Sequence, residues 1–289
     1  DGEYKTSANA KMGWYSFQIS SDFTDNVWSP MNVMVSDFTP APFKVTNQIK
    51  GELFKNGDDV EVESFAKLHS GGPYTSANVR VTAILSQKEF APKSPALSGY
   101  YFNSFIDESS DAQVYQTEAK LNDNGEYPTK FKLENQKIYY GNLVVETAVS
   151  DDRGKNYAGI SAASFAGVDR FIGLKTSSWT FDNNKPANIN YVVTDEKGVP
   201  VKNASAQLVI EKEVTTVAKV KSAGNAYLPE YNTTWQKAGG CKVKTIAAPM
   251  VCKFTPTQSG YYRVVGTVKD TKDAEHKTEL SFYVSGSDY

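Results

Sequence analysis

The feature that most constrains this chain is alternation with a period of two residues. Asp59-Val60-Glu61-Val62-Glu63 switches between polar and apolar at every step, and Tyr262-Arg263-Val264-Val265-Gly266-Thr267-Val268 continues the theme. Ser205-Ala206-Gln207-Leu208-Val209-Ile210-Glu211 begins by alternating and ends in a short apolar run, as a more fully buried strand does. Successive side chains of a strand point to opposite faces, so this pattern buries one face and wets the other. Turn-forming groups punctuate the runs: Lys55-Asn56-Gly57-Asp58, Asn122-Asp123-Asn124-Gly125, Asp151-Asp152-Arg153-Gly154 and Asp195-Glu196-Lys197-Gly198. Asn, Asp and Gly tolerate the positive φ angles of tight strand connections. No long segment carries an apolar stripe at helical spacing. Asp107 to Lys120 fits one short helix or a loop followed by a strand. The expectation is an all-β chain of tandem antiparallel β-sandwiches.

Composition narrows the function. The chain has 289 residues, about twice the usual domain length. With 31 basic and 33 acidic residues, a whole-chain nucleic-acid footprint is not expected, since it needs clustered positive charge. Two His and two Cys exclude a zinc array, and a catalytic triad would have to draw on His69 or His276. The expectation is therefore a non-enzyme with no cofactor and no metal. No stretch approaches the roughly 20 apolar residues of a membrane-spanning helix, so this segment is expected to be soluble. Asp1-Gly2-Glu3-Tyr4-Lys5-Thr6 lacks the basic start and apolar core of a signal peptide.

Three similar hairpins recur at intervals of roughly 120 residues, each expected to close a sandwich of about 100 residues. The first runs from Gly13-Trp14-Tyr15-Ser16-Phe17 to Met31-Asn32-Val33-Met34-Val35. The second runs from Tyr139-Tyr140-Gly141-Asn142-Leu143 to Gly159-Ile160-Ser161-Ala162, and the third from Gly260-Tyr261-Tyr262-Arg263-Val264 to Leu280-Ser281-Phe282-Tyr283-Val284. Two inter-hairpin stretches then hold two complete sandwiches, and the first hairpin lacks its domain. The expected division is 1–38 as the closing hairpin of a truncated sandwich, then sandwiches at 39–168 and 169–289. Pro40 and Pro42 mark the first junction. Gly167-Val168-Asp169-Arg170-Phe171 allows no long linker at the second, which implies limited freedom there.

Cys241 and Cys252 are the strongest local signal. Both lie in strand-like runs, with Ala247-Ala248-Pro249-Met250 turning between them. A cross-strand disulfide is the first reading and two buried free thiols the second; a redox pair needs closer spacing. A disulfide would stabilise by about 2–3 kcal/mol and place the protein in an oxidising compartment such as the periplasm. His69, at a strand end, and His276, beside a hairpin loop, are expected at the surface with no metal-ligand neighbours. Asp58, Asp59, Glu61 and Glu63 could in principle attract calcium, but alternation puts the last three on one solvated face. Ser70-Gly71-Gly72-Pro73 and Gly239-Gly240-Cys241 lack phosphate-loop spacing. The 17 Tyr and 15 Phe fit sandwich cores and inter-domain packing better than a stacking platform; carbohydrate binding would require an exposed aromatic row.

Several segments, in this order, resemble bacterial α2-macroglobulins. Val35-Ser36-Asp37-Phe38-Thr39-Pro40-Ala41-Pro42-Phe43-Lys44-Val45 looks like the crossing between two macroglobulin-like domains, and Asp169-Arg170-Phe171-Ile172-Gly173-Leu174-Lys175 like the start of the next. Ser70-Gly71-Gly72-Pro73-Tyr74 resembles the family's Tyr/Gly-Ala-Pro-Ala segment with substitutions. Ala223-Gly224-Asn225-Ala226-Tyr227, Cys252-Lys253-Phe254-Thr255-Pro256 and Phe282-Tyr283-Val284-Ser285-Gly286 are similar too.

The resemblance implies a framework segment of a large periplasmic protease inhibitor, whose bait region is cut and whose internal thioester then couples to the attacker. By position these sandwiches resemble those just before the bait-region domain. The thioester motif Cys-x-Glu-Gln is absent here, since Cys241 is followed by Lys-Val-Lys and Cys252 by Lys-Phe-Thr. Implied partners are proteases through the full-length protein, the neighbouring macroglobulin-like and bait-region domains, and a periplasmic peptidoglycan synthase. No nucleic acid and no membrane contact by this segment are implied, although the parent could be a lipoprotein on the inner membrane. Two other classes stay open: a surface or periplasmic adhesion module of tandem sandwiches, and an enzyme with carboxylates converging in a cleft.

Overall fold

The structure is a computed structural model that describes residues 5, 10–35, 41–102, 111–135, 137–221 and 227–286, with the backbone alone at 219–221 and 227–230. Residues 36–40, 103–110 and 222–226, which carry parts of the domain crossing, of the possible helix and of the resemblance, lie outside the described residues. The described residues form strands and one 3-10 turn at Pro95–Leu97, as the alternation predicts. The part of the ambiguous segment that is described, Ala112–Lys120, is a strand.

The chain separates into two units, Asp1–Phe43 and Lys44–Tyr289. The first contains an antiparallel hairpin of β1 (Gly13–Ser21) and β2 (Thr24–Val35), with Trp14 opposite Met34 and Ile19 opposite Trp28. Large apolar side chains stand exposed along it, Trp14 and Phe23 most of all.

Among the described residues the second unit holds sixteen strands in two consecutive sets of eight. The first set is β3 (Phe43–Ile49), β4 (Leu53–Lys55), β5 (Asp59–Leu68), β6 (Asn78–Gln87), β7 (Ala112–Lys120), β8 (Thr129–Lys132), β9 (Tyr140–Ser150) and β10 (Asn156–Ala166). The second set is β11 (Phe171–Thr176), β12 (Thr180–Asp182), β13 (Ala187–Thr194), β14 (Ser205–Lys221), β15 (Tyr227–Lys244), β16 (Met250–Phe254), β17 (Gly260–Lys269) and β18 (Glu275–Ser285). The first set pairs as β3-β5-β8 and β4-β10-β9-β6-β7, and the second as β11-β13-β16 and β12-β18-β17-β14-β15. Strand for strand these are one plan used twice. Even the parallel pairing recurs, β4 beside β10 and β12 beside β18.

In each set the two sheets face one another over alternating apolar side chains. Val60 and Val62 of β5, Val79, Val81 and Leu85 of β6, and Leu143, Val145 and Val149 of β9 are buried in the first. Ile172, Leu174, Ile189 and Tyr191 meet Leu208, Val264, Phe282 and Val284 in the second. Side-chain hydrogen bonds tie first strand to last in both. Ser161 Oγ of β10 donates to Asn47 Oδ1 of β3 at 2.5 Å, and Thr278 Oγ1 of β18 donates to the Ile172 carbonyl of β11 at 2.7 Å. The acidic row of β5 lies outward and is matched by lysines: Lys130 reaches Asp59 and Glu61 at 3.2 and 3.3 Å, and Lys50 reaches Glu63 at 2.5 Å.

Cys241 and Cys252 form a disulfide with Cα atoms 6.0 Å apart. It does not cross a ladder within one sheet. Cys241 lies in β15, at the edge of the five-stranded sheet, and Cys252 in β16, at the edge of the three-stranded sheet. The bond therefore staples the two layers where no backbone hydrogen bond can run, and both cysteines pack against the core. Replacing both by Ala is expected to lower unfolding free energy by about 2–3 kcal/mol, the loop-closure contribution of an eleven-residue separation. Urea unfolding of the variant, beside the parent chain with and without reductant, measures this loss.

Candidate functional site at the junction of the two sandwiches

Two sandwiches on one plan need a joint, and the joint is where this chain concentrates its aromatic side chains. The segment 88–102, between β6 and β7, leaves the first sandwich and lies along β11 of the second. Tyr101 exchanges two backbone hydrogen bonds with Leu174, at 2.8 and 2.9 Å, and so adds a one-residue rung to the free edge of β11. Lys175 Nζ donates to the Ser98 carbonyl at 2.9 Å. Phe90 stacks on Phe171 with ring centroids 4.0 Å apart and meets Phe102 edge-on at 5.3 Å and Tyr140 at 5.1 Å. Offset-stacked and edge-to-face pairs are the arrangements that ring quadrupoles favour. Leu97, Val168 and Val192 complete the cluster.

β11 explains this burial. Phe171, Ile172, Gly173 and Leu174 are all buried, an uninterrupted run where a one-sided strand would alternate. Ile172 and Leu174 enter the core of the second sandwich, while Phe171 joins the aromatic cluster. Gly173 is obligatory, because a Cβ there would lie 2.5–2.9 Å from three atoms of the Phe102 ring. A second close approach is at Gly198, whose φ of +81° suits the turn and whose Cβ would lie 2.5 Å from Pro92 Cβ.

Polar contacts fix the same joint. Lys55 Nζ of β4 pairs with Glu196 at 2.6 Å, and that partner raises the lysine pKa above its ordinary value. Asp169, in the connection between β10 and β11, accepts from the Thr271 N–H at 3.2 Å and from the Thr271 hydroxyl. The Asp169 N–H in turn donates to Asp270 Oδ2 at 3.4 Å. The tip of the β17–β18 hairpin is thereby fastened to the connection that joins the sandwiches.

His276 sits beneath the cluster and corrects the surface placement expected from sequence: it is 1% exposed. Its ring meets Phe171 at 5.0 Å and Tyr139, from the first sandwich, at 5.3 Å. It also borders a cavity of about 130 Å³ walled by Phe90, Phe102, Tyr139, Tyr140 and Phe171. The Ile172 N–H donates to Nδ1 at 3.1 Å, so that nitrogen is the unprotonated one. Burial pushes the imidazole pKa down to about 3, and the ring is neutral at physiological pH. Its polar neighbours in sequence suggested a loop. Yet β18 begins at Glu275, and His276, Thr278, Phe282 and Val284 are its inward positions, a signal that was present in the alternation. His69 is exposed, as expected. Among the described residues no three His, Cys, Asp or Glu side chains gather in a metal-binding group.

Two expectations follow. Gly154 has a φ of +80° with open space at its Cβ, so Gly154→Ala reports backbone strain alone, whereas Gly198→Ala adds the collision with Pro92. The Gly198 variant is expected to lose about 1–3 kcal/mol more stability than the Gly154 variant, read from paired urea titrations. For His276, the unfolded ring gains a proton below about pH 6.5 while the folded ring resists until about pH 3. Its contribution is therefore complete above pH 6.5 and drains away as pH falls. His276→Asn retains an acceptor for the Ile172 N–H without titrating. Between pH 6 and 4 its stability should fall less steeply than the parent's, by about 1.4 kcal/mol per pH unit.

No family model and no curated protein matches this sequence. Solved structures do. The native conformation of E. coli α2-macroglobulin aligns at 15% identity with a TM-score of 0.59, covering 98% of this chain and 18% of that one. Salmonella α2-macroglobulin reacted with methylamine aligns at 14% identity and TM-score 0.60, covering 98% and 19%. E. coli α2-macroglobulin activated by porcine elastase aligns at 16% identity and TM-score 0.59, covering 98% and 25%. The chain thus spans 18–25% of the length of these three structures. What the likeness establishes is the fold: these sandwiches are built like the macroglobulin-like domains of bacterial α2-macroglobulins.

Proposed function

We propose that this chain is a framework segment of a periplasmic, broad-range protease inhibitor of the α2-macroglobulin type, not an enzyme. The observation that carries the reading is the joint: two sandwiches on one strand plan, locked by a shared rung, an aromatic cluster and two glycine close approaches. Such a joint transmits displacement instead of absorbing it, which suits a segment that holds bait region and thioester domain in register. The likeness to structures of α2-macroglobulins activated by trypsin or elastase supports proteases as the partners of the whole protein. The disulfide supports an oxidising compartment. It also occupies both cysteines of the sequence, so the thioester of the trap belongs to another part of the protein.

In this reading residues 1–38 supply the closing hairpin of a preceding macroglobulin-like domain, which would cover Trp14, Ile19 and Trp28. Residues 39–168 and 169–289 form the next two domains. Neighbouring macroglobulin-like and bait-region domains, and a peptidoglycan synthase, are its partners by family likeness. The test is methylamine incorporation into the full-length protein, read by intact mass, with this chain as control. Labelling of the full-length protein alone is the expected result. No labelling of fresh full-length protein would remove the thioester and leave a relative that snares proteases non-covalently or the adhesion module, and labelling of this chain would contradict its disulfide.

A further inference from the structure

The outer face of the five-stranded sheet in the second sandwich carries aromatic rings that serve no core. Trp179, just before β12, is 57% exposed and Tyr261 of β17 is 48% exposed. Tyr283 of β18 joins them, its ring 5.0 Å from Tyr261, while Trp179 lies 6.4 Å from Tyr261. The rings are tilted by 44° and 64° to one another, so they make a twisted platform and not a flat one. Backbone holds the row in place: the Tyr283 N–H donates to the Trp179 carbonyl at 2.9 Å, and Tyr261 and Tyr283 are register partners across β17 and β18.

The platform opens into a groove. β14 pairs with β17 only as far as Lys212 and then runs on to Lys221, leaving a gap of about 870 Å³ beside the start of β17. Tyr261 lines it together with Lys212, Glu213, Thr215, Gln258 and Ser259, a set rich in hydroxyl, amide and charged groups. The charges nearby are already balanced. Arg263 is held by Glu211 at 2.7 Å and Glu279 at 3.2 Å and lies 4.3 Å from the Trp235 ring. Lys212 Nζ donates to Gln258 Oε1 at 2.8 Å. Three carboxylates, Glu211, Glu213 and Glu279, are matched by three cations, Arg263, Lys212 and Lys237, the last being the register partner of Glu211, so the face carries no excess charge and suits a neutral ligand.

We propose that this face binds a neutral pyranose glycan. Sugar rings present one face of C–H groups, which pack on exposed Trp and Tyr rings, and equatorial hydroxyls, which bond to hydroxyl, amide and carboxylate groups beside them. An apolar platform with a few convergent polar groups at its rim is the form such a site takes. The aromatic residues, which from sequence fit cores and domain packing better than a stacking platform, thus include a minority that forms the exposed row a glycan site requires.

Calorimetric titration of the full 289-residue chain with cellohexaose, chitohexaose and mannohexaose tests this. At least one should give saturable binding, weakened about tenfold by Trp179→Ala and by Tyr261→Ala. Tyr261→Phe, which retains the ring, should stay within about threefold, and Trp14→Ala on the separate hairpin should change nothing. Absence of heat with all three sugars at millimolar concentration would overturn the proposal. So would binding that Trp179→Ala and Tyr261→Ala leave intact while their thermal unfolding matches the parent, or saturation of the groove by an extended peptide added to the edge of β14 with no glycan binding.

Discussion

Everything in the two-sandwich unit turns on one strand that has no solvent face. β11 gives Ile172 and Leu174 to the core of its own sandwich and Phe171 to the cluster shared with the other. It is also bound on both edges, by β13 in its sheet and by the Tyr101 rung from the preceding sandwich. A strand buried on both faces must be apolar throughout, and where a neighbouring ring lies directly on the backbone it must give up its side chain. Phe171-Ile172-Gly173-Leu174 is that solution in sequence. Strain applied to either sandwich therefore reaches the other through packed, discrete contacts and not through a linker.

The duplicated plan shows which parts of the fold are general and which are particular. Both sets of eight strands share sheet order, the parallel edge pair and a side-chain tie between first and last strands. Particular to the second set are the disulfide and the length of β14 and β15, which pair along their whole course while β17 meets β14 only at its base. The first set uses its own long excursion, 88–102, to build the joint. One scaffold thus supplies its extra chain length at different connections, for joining in one case and for an exposed groove in the other.

His276 illustrates how a fold converts a polar residue into packing. Its imidazole fills a position beneath Phe171 and Tyr139, accepts from the Ile172 N–H and, being neutral, adds no charge to the joint. The neighbouring carboxylates Asp169 and Asp270 do their work through backbone and hydroxyl donors in the connection, where their charge stays near water.

The alternation, the turn groups and the three hairpins by themselves determined that this chain is all-β and that the two cysteines lie in neighbouring strand-like runs. Those signals are local: side-chain period and positive-φ residues act within a few positions, so sequence carries them openly. Which sheet each strand joins is not local. The sequence could not tell that β15 and β16 belong to opposite layers, so the disulfide was legible as a bond but not as a staple. Nor could it tell that Gly173 lies under Phe102, about seventy residues away, that Phe171 and Tyr139 close over His276, or that Trp179, Tyr261 and Tyr283 gather on one outer face. Those placements depend on which surfaces meet when two sandwiches pack, a property of long-range contacts that only the tertiary structure decides.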